Sequence, residues 1–235
     1  MSNKIYWVGG SKGGVGKSMV SMALCDFLMR QGEKPYLVEC DTSNPDVIKA
    51  YHQEVKNGDI SASSVNLDDD EGWEVLADIL ATHPDKPVVV NTAARNNDSV
   101  AKRGWYLIRG AAELSRPLVT LWVVNRQRDS LELLRQFQEA LAQWGGESKV
   151  HVLRNLYFGE EKKFELYEGS RIRAAVEAAG GKSLSFPDLS DRVSDAVYSN
   201  RLSLTRAAKE LSYGLRIGFE HWRDQADGVF RAALG

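Results

Sequence analysis

The run Ser11-Lys12-Gly13-Gly14-Val15-Gly16-Lys17-Ser18 lies between a short apolar stretch, Ile5–Val8, and a helical pattern, Met19–Arg30, that closes near Gly32. No other feature restricts the fold as much. A strand, a glycine-rich bend and a helix in immediate succession form the context of a phosphate-binding loop. Phosphate oxygens require several donors at close range, and glycines let successive backbone N–H groups turn inward into an anion nest. The helix N-terminus that follows adds roughly half a positive charge. Lys17 supplies an ammonium for the outer phosphates. The Ser18 hydroxyl is a hard oxygen donor of the kind Mg²⁺ prefers.

The rest of the chain alternates in the same way. Strand patterns at 35–40, 87–90, 118–124, 149–153 and 183–186 are interleaved with helical patterns at 73–80, 100–114, 131–144 and 171–179. Gly145-Gly146 and Gly180-Gly181 close two of these helices. Residues 57–72 read as a loop, and a long helical stretch runs from about 203 to 233, interrupted near Gly214. Strands that are apolar nearly throughout are buried on both faces. The expected fold class is therefore α/β, a doubly wound, mostly parallel sheet with helices on both faces. No internal repeat and no Pro- or Ser-rich linker divides the chain, so 1–235 is read as a single domain.

Composition narrows the function. Lys and Arg number 30 against 32 Asp and Glu, a net charge of −2, which disfavours a bulk-basic nucleic-acid binder. Cys25 and Cys40 form no CxxC pair, so a disulfide framework, a zinc site or an iron–sulfur cluster has no support. The start MSNKIYWVGG lacks the basic and apolar regions of a leader, and no apolar run approaches the ~18 residues that span a bilayer. A cytoplasmic protein is expected. His52, His83, His151 and His221 are scattered, without metal spacing or a Ser/Asp companion. Residues 39–85 carry twelve acids against Lys49 and Lys56, which reads as a solvated face plus a loop.

The stretch Lys12–Ser18 resembles the KGGxGK[ST] loop of the deviant Walker-A P-loop ATPases related to MinD and ParA. The resemblance implies ATP and Mg²⁺ as cofactors. Nucleotide contacts would fall on Lys12, Gly13, Gly14, Val15, Gly16, Lys17, Ser18 and the adjoining Met19. Lys12 would reach across a nucleotide-bridged homodimer to the partner's ATP. The acidic pair Glu39-Cys40-Asp41 lies where the family carries two acids one residue apart, Glu39 replacing the commoner aspartate. Asp41 matches the aspartate that helps hold Mg²⁺ and the attacking water, so Lys12, Lys17 and Asp41 are the candidate catalytic residues. The family's Walker-B aspartate falls on Asn91, in Val88-Val89-Val90-Asn91. A neutral amide there accepts from metal-bound water but adds no charge. Metal sites are thus assigned to Ser18, Asp41 and Asn91, with weakened hydrolysis and an Asn91→Asp variant expected to raise it. Asn155, at the end of Val152-Leu153-Arg154-Asn155, resembles the residue that reads the adenine edge, and Pro187-Asp188 the second adenine-contacting loop. The phrases at 39–46 and 123–130 resemble plasmid-borne ParA-like proteins of the StbB or mobilisation-accessory kind.

Two further features have competing readings. Arg95, Lys102, Arg103, Arg109 and Arg116 cluster around one predicted helix, as a solvated face or as a contact for DNA backbone. Trp105 and Tyr106, interleaved with them, read as core. Leu204, Ala208, Leu211, Leu215, Phe219, Trp222, Ala226 and Phe230 form a stripe at helical spacing. Its opposite face mixes acids with bases, which favours core packing or partner docking over a membrane. The leading expectation is an ATP-bridged dimer that acts as a nucleotide-dependent switch in plasmid partition, stability or conjugative transfer. Its output would be binding to DNA or to a plasmid-encoded DNA-binding protein. The alternatives are an ATP-sensing module with little hydrolysis and an ATP-dependent metabolic synthetase on the same scaffold.

Overall fold

The computed structural model describes residues 3–10, 13–94, 96–145 and 148–235. Ser11, Lys12 and Arg95 lie outside them. The strands are β1 Ile5–Gly10, β2 Tyr36–Glu39, β3 Ser61–Ser64, β4 Val88–Asn91, β5 Leu118–Val124, β6 Ser148–Asn155 and β7 Ser183–Phe186. They form one sheet in the order β3-β2-β4-β1-β5-β6-β7, and every pairing is parallel. The helices are α1 Lys17–Arg30, α2 Asp46–Ala50, α3 His52–Asn57, α4 Asp70–Thr82, α5 Asn96–Arg103, α6 Trp105–Glu113, α7 Arg128–Gln143, α8 Glu165–Glu168, α9 Arg171–Ala178, α10 Asp191–Ser199, α11 Leu204–Glu210 and α12 Tyr213–Leu234.

Side chains alternate between two cores. Tyr6, Val8, Leu37, Val89, Leu121 and Leu153 face a layer made by α1, α2, α10, α11 and α12. Ile5, Trp7, Val38, Val90, Trp122 and Val152 face α4, α5, α6, α7 and α9. Nearly all of α1 is buried, Val20 through Leu28 without a gap, as expected for a helix enclosed between a sheet and a second helical layer. The chain leaves β1 toward β2 on one side and, after β4, crosses to β5 on the other. That reversal opens a crevice at the C-terminal ends of the central strands, the usual ligand position in open parallel sheets.

Three expectations change. The loop expected at 57–72 contains β3, whose residues Ser61-Ala62-Ser63-Ser64 give no apolar signal because they form the sheet edge. The helix expected at 100–114 is two helices separated at Gly104. The interruption in the C-terminal stretch falls at Leu211 and Ser212, both extended, while Gly214 sits inside α12. The predicted stripe is core: Leu204, Leu211, Phe219, Trp222, Ala226 and Phe230 are buried, with Ala208 and Leu215 packed beside them. Each buried Leu, Phe or Trp of this kind contributes on the order of 1.5–3 kcal/mol. Arg30 on α1 binds Asp227 on α12 with two hydrogen bonds of 2.8 and 2.5 Å, which fixes the angle of the long helix. Among the described residues no helix is long and apolar enough to cross a membrane.

Candidate functional site

The bend after β1 has the conformation that its glycines permit. Gly14 and Gly16 take φ of 76° and 104°, left-handed values that are strained for any other residue. A Cβ on Gly16 would lie 2.4 Å from Nδ2 of Asn155. Gly16 also caps α1 without a side chain, so the helix's first N–H groups face the bend with no side-chain acceptor from the cap residue. Lys17 opens α1 and is only 7% exposed. Burial lowers its ammonium to about 8, and the Asp41 carboxylate partly offsets that shift. The bend, the lysine and Asp41 thus meet at the crevice. A buried ammonium beside a glycine cradle at a helix N-terminus suits an anion, and the site fits a phosphate chain. Ser18 and Asp41 bring a hydroxyl and a carboxylate, oxygen donors suited to Mg²⁺.

An open cavity of about 260 Å³ adjoins the bend. Gly14, Gly16, Met19, Asn155, Pro187 and Asp188, from three distant segments, all line it. Tyr157, Phe186, Leu189, Ser194 and Tyr198 complete the wall and were missed in the sequence. Ser194 and Tyr198 ride on α10, whose buried residues are Val193 and Val197 at i, i+4. The cavity's aromatic and aliphatic walls, next to a phosphate cradle, suit a flat base and its sugar. Asn155 itself is engaged internally: Nδ2 donates to the Val15 carbonyl at 2.8 Å and Oδ1 accepts from Tyr157 N at 3.1 Å. Trp222 Nε1 on α12 donates to the Pro187 carbonyl at 3.0 Å, tying the C-terminal helix to the cavity's loop.

Asn91 sits apart from the cavity, in a buried chain of hydrogen bonds. Ser21 Oγ donates to Asn91 Oδ1 at 2.8 Å, and Asn91 Nδ2 donates to Glu39 Oε1 at 2.7 Å. Glu39 is fully buried. Loss of water raises its carboxyl to about 7, against the pull of hydrogen bonds from Asn91, Asp41, Ile48 and Val47. Both polar atoms of the Asn91 amide therefore have protein partners, which no sequence pattern signals.

Two members of the basic cluster are paired with acids and a third is buried. Arg103 pairs with Asp70 and Arg109 with Glu113 at 2.7 Å. Arg116 is buried, its guanidinium donating to the carbonyls of Asn3, Leu80, His83 and Lys86. Arg95 lies outside the described residues. The solvated-face reading is the one this geometry supports. Trp105, read as core, is instead exposed and stacked on Tyr106, with ring centroids 3.8 Å apart.

Comparison with known proteins agrees with this geometry. Residues 6–169 match the profile of the CobQ/CobB/MinD/ParA nucleotide binding domain. The chain is 50% identical to Protein MobD of Acidithiobacillus ferrooxidans over 234 residues, 100% of this chain and 99% of that one. It is 24% identical to Protein TraL of Escherichia coli over 206 residues, covering 85% and 83%. A putative plasmid partition protein from Borrelia burgdorferi B31, solved with AMPPNP, superposes with a TM-score of 0.64 at 13% identity, covering 97% of this chain and 99% of that one. The chain belongs to the CobQ/CobB/MinD/ParA family of nucleotide-binding domains.

Proposed function

We propose that this chain is an ATP-dependent switch that associates with a second copy of itself when ATP is bound and returns to the monomer after slow hydrolysis. The observation that carries this reading is the buried Lys17 at the mouth of a glycine cradle, beside Asp41 and next to a base-sized cavity. Residues 12–19 hold the phosphates, with Asn155, Pro187 and Asp188 around the base. Lys17 offsets charge on the outer phosphates and Asp41 orients water at the terminal one. Ser18 and Asp41 are the donors for Mg²⁺, whose bound charge would neutralise the phosphate oxygens, with Asn91 behind them. Catalysis on such a site is positioning and electrostatic stabilisation. Lys12 supplies the contact to the partner's nucleotide. Plasmid partition, stability or conjugative transfer is the setting favoured by the resemblance of the stretches 39–46 and 123–130 and by the partition-protein neighbour.

Sedimentation with and without ATP, Mg²⁺ and duplex DNA tests the reading. A shift from monomer to dimer that needs ATP, and is lost in Lys12→Ala while ATP still binds, supports it. A monomer under every condition, or ATP affinity unchanged in Lys17→Ala, overturns it. Co-sedimentation with DNA decides between direct DNA binding and action through a DNA-binding protein; the paired Arg103 and Arg109 favour the second.

A second reading, an ATP sensor with negligible turnover, draws on the Asn91 amide, which has both polar atoms engaged by Ser21 and Glu39. Tight ATP binding without phosphate release above background selects it.

A further inference from the structure

The geometry points to Glu39 as the residue that positions the Asp41 segment, with Asn91 as the neutral partner that allows a single carboxylate to occupy this buried spot. Four donors converge on Glu39. Asn91 Nδ2 and the Asp41 N–H reach Oε1 at 2.7 and 3.1 Å. The Val47 and Ile48 N–H groups reach Oε2 at 3.2 and 3.4 Å. The segment 41–47 is therefore held at both ends by one side chain at the tip of β2, and that side chain is anchored across the sheet to β4.

The chemistry fixes the direction of each bond. With the Asp41, Val47 and Ile48 N–H groups donating to its two oxygens, Glu39 serves as an acceptor here, so the amide turns its nitrogen toward Glu39 and its oxygen takes the Ser21 hydroxyl. An aspartate at 91 would bring a second carboxylate oxygen against the first in a site closed to water, where like charges are costly. From the sequence, Asn91 reads as a lost charge that Asn91→Asp should restore. The contact with Glu39 reverses that expectation: the carboxylate has its place on β2 and the amide on β4, and one requires the other. This inference rests on the reading of Asp41 as the residue beside the nucleotide's phosphates and metal.

An exchange of the two groups tests it. In Glu39→Gln with Asn91→Asp, the glutamine nitrogen can donate to the new carboxylate while its oxygen accepts from Val47 and Ile48; only the Asp41 N–H loses its acceptor. Amide hydrogen exchange of the full chain without nucleotide should show residues 47 and 48 exchanging at least tenfold faster in Glu39→Gln, whose one amide oxygen turns to Asn91 and the Asp41 N–H, and residues 41, 47 and 48 in Asn91→Asp. In the double variant, 47 and 48 recover. The ratio of ATP dissociation constants without and with Mg²⁺ should fall at least fivefold in each single variant and recover in the double, a pattern that general loosening of the fold would not produce. If Asn91→Asp does not fold, Asn91→Ala, which adds no charge, replaces it, with faster exchange at 41 expected. Wild-type protection and Mg²⁺ ratio in Asn91→Asp, or a double variant no better than the worse single, overturns the inference. If the wild type binds no ATP, the proposed function fails, while exchange at 41, 47 and 48 still decides whether Glu39 holds the segment.

Discussion

Asn155, at the end of β6, donates its side-chain amide to the Val15 carbonyl at 2.8 Å and so braces the glycine-rich bend from the side. The same nitrogen occupies the space where a Cβ on Gly16 would stand. A hydrogen bond of this kind is worth roughly 0.5–1.5 kcal/mol. Asn155→Ala should weaken ATP and ADP binding alike, by about 3–10-fold, and leave the preference for ATP over GTP unchanged. Titration calorimetry with the three nucleotides checks this. A loss confined to base discrimination would show Asn155 reading the base instead.

Lys17 is held where its charge is disfavoured, since burial outweighs the attraction of Asp41 and lowers its ammonium to about 8. Removing that charge relieves a cost in the nucleotide-free protein and, on the proposed function, removes the group the phosphates need. Lys17→Met should therefore melt at or above the wild-type temperature at pH 7 without nucleotide, and ATP with Mg²⁺ should no longer raise its melting point. Thermal unfolding with and without ATP measures both. A variant less stable by several degrees that still responds to ATP would refute the assignment of this lysine.

The sheet and the glycine-rich bend were legible in the sequence because both are local: apolar runs of four to seven residues, and a few consecutive positions between a strand and a helix. The cavity wall was partly legible, since Asn155 and Pro187-Asp188 follow strands, and such positions gather at the crevice. Ser194 and Tyr198 were not, because α10 is a nine-residue helix in which only Val193 and Val197 are buried. Nor was the role of Asn91, because its partners are 52 and 70 positions away, one beside it on β2 and the other on α1. Edge strand β3 escaped notice because serines that bond only one neighbour leave no alternation to detect.

The C-terminal helix is part of the core. Asp227 is buried on α12 and accepts two hydrogen bonds from Arg30, which also binds Asp26 at 2.8 Å. Asp227→Ala leaves the guanidinium with Asp26 alone and opens a gap between α1 and α12. A loss of about 2–4 kcal/mol is expected, somewhat below the ~3–5 kcal/mol of a fully buried pair because Arg30 is partly open to water. ATP affinity measured where the variant is fully folded should be unchanged, because Arg30 lies at the far end of α1 from Lys17. Urea unfolding and titration calorimetry separate the two effects; full stability in the variant would mean that α12 is held by its apolar face alone.

His151 gives the fold a dependence on pH remote from the nucleotide site. Its side chain is about 1% exposed, and neither ring nitrogen has a hydrogen-bond partner among the described residues. Burial first, then Lys182, Lys149 and Lys4, lowers its pKa from 6.5 to about 4. Between those values the unfolded chain takes up a proton that the folded chain refuses. Stability must then fall as pH falls through 6.5 toward 4, by up to ~3 kcal/mol from this residue. His151→Leu removes the titrating group from an apolar setting between strands. Urea unfolding at pH 7.5, 6.5, 5.5 and 4.5 should show the variant gaining on the wild type at each step down, by about 1.4 kcal/mol per unit once below the unfolded value. Parallel curves for the two proteins would show that another group carries the acid sensitivity.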